Sequence, residues 1–139
     1  MRDKNGIVFI CVVFAALGAY IVLSIATQIW IGPQPGRVDS ISIFSQFQQI
    51  GLVWRYGVLV IAGAVLCRLV DSPVPLKWCL GLGLLFAGIH FLPWLSFWPQ
   101  MPQAAAPFSL HAFTVGRGFG DVVAPVVGAG LVKPRYLAS

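Results

Sequence analysis

Residues 6–30 read GIVFICVVFAALGAYIVLSIATQIW, 25 positions without one charged side chain. Coiled as an α-helix, with a rise of about 1.5 Å per residue, this stretch more than covers the roughly 30 Å of hydrocarbon in a bilayer. A signal peptide could imitate it, since Arg2 and Lys4 precede the apolar run. The uncharged stretch after Lys4, however, continues to Gly36, well beyond an h-region of about 7–15 residues. Ser24-Ile25-Ala26 is only a weak cleavage site, so the expectation is an uncleaved anchor. Gly32-Pro33-Gln34-Pro35-Gly36 then ends the helix, because both residue types break helical geometry.

The rest of the chain has the same character. It has 139 residues, of which 58% are hydrophobic and 9% charged, with mean hydropathy +0.87. Soluble domains carry about 25% charge. Thirteen charged residues cannot coat a soluble domain of this size, and intrinsic disorder requires the opposite balance. The composition therefore implies an all-α integral membrane protein, a single domain over residues 1–139. Four spans of about 20 residues fit with loops to spare, whereas six leave almost none. There is no room for a sizeable soluble catalytic domain.

Three more spans follow the first, at about 51–70, 78–95 and 111–132. Arg55 and Arg68 bracket the second, and the 12 residues between them are too few to cross. Both arginines must snorkel, or one must find a partner inside. Gly81, Gly83 and Gly88 line the third span and allow close helix approach. The last span is the weakest, with Arg117, Asp121, Pro125 and five glycines (Gly116, Gly118, Gly120, Gly128 and Gly130). It suits a helix packed inside protein, or a broken or re-entrant segment, better than a helix facing lipid. Between the first two spans, residues 39–50 place Ile43, Phe47 and Ile50 at helical spacing among Ser and Gln. This predicts a short interfacial amphipathic helix capped by Asp39; extension of the second span is the alternative. Residues 96–109, with Pro99, Pro102 and Pro107, form an uncharged loop expected to rest on the membrane or on a partner.

Charge placement predicts the topology. With the N-terminus inside, Arg2, Lys4, Arg68, Lys77, Lys133 and Arg135 are cytoplasmic, against Arg37 and Arg55 outside. The excess of basic residues in cytoplasmic loops thus places both ends in the cytoplasm of a bacterial-type inner membrane. Trp30, Trp54, Trp94 and Trp98 then mark one interface and Trp78 the other. The net charge of +5 reflects this layering and not nucleic-acid binding. Cys11, Cys67 and Cys79 contain no C-x-x-C pair and are expected to be free thiols that pack as small apolar groups.

Within the spans, Arg117 and Asp121 are the most informative pair. Their i, i+4 spacing puts them on one helix face. Each charge alone costs about 2.5–3.5 kcal/mol at mid-membrane, and pairing neutralises both. Such a pair either docks the helix to a partner or to the second span, or lines a pathway together with Arg55. Relays generally need further titratable groups, and the chain has no glutamate. His90 and His111 fall on neighbouring helices towards the outer side, where two neutral imidazoles could hold a b-type haem; no motif surrounds them. No nucleophile–base constellation or pair of carboxylates is present.

The expected role is therefore a non-catalytic accessory or assembly subunit of a larger membrane complex, with the bilayer and other integral membrane subunits as partners and no cofactor. One alternative is a small homo-oligomeric transporter or channel using Arg117, Asp121 and Arg55. Another is a haem- or quinone-binding electron-transfer subunit using His90 and His111.

Overall fold

The computed structural model describes residues 2–31, 40–72, 74–97 and 108–132, with side chains described for 4–27, 29–30, 50–72, 74–89, 91 and 116–132. The described residues form four α-helices: α1 (Arg2–Ile31), α2 (Ser40–Leu69), α3 (Leu76–Phe97) and α4 (Phe108–Gly130). There is no strand among the described residues. Among the described residues, two helices are long and apolar enough to cross a membrane, over Lys4–Thr27 and Ile50–Leu69, and Leu76–Ile89 is a shorter apolar helix.

The expected interfacial helix over 39–50 is not a separate element. Residues 40–50 are the first turns of α2, which runs unbroken for 30 residues. The physical reason lies at Ile50-Gly51-Leu52. A single glycine weakens a helix by about 1 kcal/mol but does not break it, and no proline intervenes. The proposed Asp39 cap, most of the 96–109 loop and the side chains of Trp94 and Trp98 lie outside the described residues.

Proline chemistry shapes the α2–α3 turn. α2 closes with Val70 N donating to Leu66 O at 2.9 Å. In the turn that follows, Ser72 Oγ accepts from Val74 N at 3.3 Å. The first turn of α3 forms on Pro75, whose carbonyl accepts from Trp78 N and Cys79 N at 3.0 and 3.3 Å. Asn5 of α1 holds this turn on both sides: its Nδ2 donates to Asp71 O and its Oδ1 accepts from Asp71 N, each at 3.1 Å. The start of α1, the end of α2 and the start of α3 therefore share one end of the bundle. Leu131 and Val132, just past α4, join them there beside Val65, Arg68 and Leu69.

Each helix buries one stripe. On α2 it comprises Leu59, Ala62, Leu66 and Cys67, continued by Val70 just past its end; on α3, Cys79, Leu82 and Phe86; on α1, Val12, Val13 and Ala16. These recur at three- and four-residue steps, the period of a helical face. α4 contributes Asp121, Ala124, Pro125 and Ala129. It packs broadly against both α2 and α3, which touch each other only lightly, while α1 lies mainly on α2. The helix that looks weakest in sequence is therefore central to the bundle.

Glycine explains how α4 fits there. An added Cβ at Gly128 would run into the backbone of Val60, and one at Gly63 into the backbone of Pro125. At Gly83 it would lie 2.7 Å from Val122 Cα and 2.8 Å from Asp121 O. Backbone meets backbone at these three points, so any side chain would hold the helices apart. Gly118 and Gly120 instead receive the rings of Phe91 and Tyr56. Gly88, Gly116 and Gly130 face open space, and Gly81 makes only ordinary contact with Phe9.

Candidate functional site

The polar heart of the bundle is Asp121 on α4, whose side chain is fully buried. Both of its oxygens are taken by one guanidinium. Arg55 Nε donates to Oδ1 and Arg55 Nη2 to Oδ2, each at 2.6 Å. This is the parallel two-bond fork that favours arginine over lysine for carboxylates. Nη2 also donates to the carbonyl of Phe86 on α3 at 3.2 Å. The Arg55 guanidinium carbon lies 5.9 Å from the ring centroid of Tyr20 on α1, within cation–π range. One side chain thus touches every other helix.

Sequence spacing pairs Asp121 with Arg117; the structure joins it to Arg55. The reason is reach. Arg117 and Asp121 share a helix surface, but Asp121 belongs to the stripe that faces α2, and Arg55 faces it from there. Of the two solutions for Arg55, snorkelling or an internal partner, the structure takes the second: its side chain is 13% exposed. Arg117 is partly buried, and its backbone carbonyl accepts from the Tyr56 hydroxyl at 3.3 Å, a second tie between α2 and α4. On the other flank, Trp54 Nε1 donates to Thr27 Oγ1 at 3.0 Å, and Thr27 in turn donates to Leu23 O at 2.7 Å, linking α2 to α1.

Pro125 adds a local detail. It has no N–H to give the carbonyl four residues earlier, which is that of Asp121. That carbonyl faces Gly83 of α3. Asp121 therefore meets α2 through its side chain and α3 through its backbone.

His90 lies on α3 and His111 on α4, but both side chains lie outside the described residues. Among the described residues, no three of His, Cys, Asp and Glu gather as a metal site would require. Cys67 and Cys79 are buried in the core and Cys11 is exposed; all three are free thiols, and Cys79 Sγ lies 3.5 Å from the carbonyl of Gly63.

Tyr20, Tyr56 and the Phe86 carbonyl were not visible as part of this site. The tyrosines had a signal, since each is a hydroxyl-bearing residue inside or beside an apolar run. A backbone carbonyl carries none. Comparison with protein families, curated proteins and solved structures finds no match to this chain.

Proposed function

We propose that the chain is a four-span integral membrane protein serving as a non-catalytic accessory or assembly subunit of a larger membrane complex. The observation that supports a non-catalytic role is the commitment of the buried carboxylate of Asp121. The buried carboxylate commits both oxygens to Arg55, so its chemistry is spent on joining helices.

The membrane placement draws on what the helices leave uncovered. Only 17% of the apolar window in Lys4–Thr27 is buried within the chain, whereas the core helix of a soluble protein is mostly buried. Ile7, Ile10, Phe14, Val22 and Ile29 of α1 all face outward. Such a surface calls for lipid or for the helices of other subunits. With the N-terminus cytoplasmic, the bundle end holding Lys4, Arg68 and Lys77 faces the cytoplasm of a bacterial-type inner membrane.

Purification in mild detergent followed by identification of co-purifying chains tests this. The expected result is a stable assembly with larger, unrelated membrane subunits. A clean homo-oligomer with transport activity, or a Soret band from bound haem, would replace the proposal.

A further inference from the structure

At the basic end of the bundle a cavity of about 470 Å³ is lined by Asn5, Ser72, Lys77 and Trp78. Its polar groups are dominated by donors. Lys77 is exposed, and its Nζ lies 6.0 Å from the centroid of the Trp78 ring. Ser72 Oγ already accepts from Val74 N, so its hydroxyl hydrogen remains to be given. Asn5 spends its amide on the backbone of Asp71. Trp78 Nε1, a donor and nothing else, is buried with no acceptor among the described residues. Buried donors are normally satisfied, and an exception calls for an unseen water, ion or ligand. The Trp78 ring is braced by Phe9 of α1 at a centroid distance of 5.4 Å. The exposed Leu80 and Leu84 follow Lys77 at three and seven residues, on the same face of α3.

We propose that this cavity binds the phosphodiester of an anionic phospholipid, with one acyl chain lying along Leu80 and Leu84. The Lys77 ammonium supplies the counter-charge, the Ser72 hydroxyl donates to a phosphate oxygen, and Trp78 Nε1, closed to solvent in this structure, donates to the headgroup once the ring turns towards it. The Asp71 carboxylate is exposed on the same turn and opposes an anion; Lys4, also exposed at this end, offsets it. This inference rests on the membrane placement proposed above.

Native mass spectrometry of the full chain in detergent, titrated with phosphatidylglycerol and with phosphatidylcholine, tests it. The expected result is retention of phosphatidylglycerol at least several-fold over phosphatidylcholine, a preference lost in Lys77→Gln and weakened in Trp78→Phe. Arg68→Gln, outside the cavity lining, should keep it. Unchanged preference in Lys77→Gln, or equal loss in Arg68→Gln, overturns the site. Binding of inorganic phosphate, with neither lipid retained, overturns the lipid assignment. Circular dichroism confirms that each variant folds. The membrane placement fails separately, if the wild-type chain stays monodisperse in buffer without detergent.

Discussion

Arg55 stands thirteen residues before Arg68 on α2, a rise of about 20 Å. If Arg68 sits at one interface, Arg55 is still inside a hydrocarbon layer of about 30 Å. Its charge must be met there, and Asp121 is the only acidic residue within any predicted span. This much could be reasoned from sequence, which already required Arg55 to snorkel or find an internal partner. The i, i+4 rule then favoured Arg117, because spacing along one helix says nothing about which neighbour that helix will face. The geometry of the fork makes a prediction. Arg55→Lys keeps the charge but lacks the planar pair of nitrogens that makes the parallel fork to Asp121. It should lose about 1–3 kcal/mol of stability, read by unfolding in micelles against wild type. A lysine variant as stable as wild type would show that the two-bond fork is dispensable.

Helices, unlike ion pairs, were largely legible. Apolar runs and their Pro-Gly stops located all four, with ends within a few residues except at the start of α2. That start is less legible, because the Ser and Gln residues of 40–49 look like a change of environment, while the backbone carries on through them. The glycines of α4 were read as a need for protein neighbours, and those neighbours turn out to belong to the same chain. Which glycines matter was not legible, because it depends on the rotation of each helix. The structure separates them: Gly63 and Gly128 oppose backbone, whereas Gly130 opposes nothing. Gly63→Ala and Gly128→Ala should each cost about 1–3 kcal/mol through forced separation of α2 and α4. Gly130→Ala should be neutral or slightly stabilising, since alanine is the better helix former. Equal effects at Gly128 and Gly130 would refute close packing as their cause.

For the molecule as a whole, basic residues and glycines act at different levels. Lys4, Arg68 and Lys77 gather at one end, where the hydrogen bonds between Asn5 and Asp71 close α1 onto the α2–α3 turn. The placement of basic residues along the sequence already implies this segregation of charge. The proposed orientation predicts that Asp71→Cys is labelled by an impermeant thiol reagent only from the cytoplasmic face, and Arg37→Cys only from the other. Labelling of both from one face would rule out α2 as a span. The ion pair of Arg55 with Asp121 locks α4 into the bundle. A double-mutant cycle of Arg55→Met and Asp121→Asn, followed by unfolding in micelles, measures it most directly. Each single change leaves a buried charge or acceptor unmatched and should cost about 3–5 kcal/mol, and the double variant should cost much less than their sum. The parallel cycle of Arg117→Met with Asp121→Asn should show the smaller coupling. Additive losses for Arg55 and Asp121, or stronger coupling to Arg117, would contradict the account.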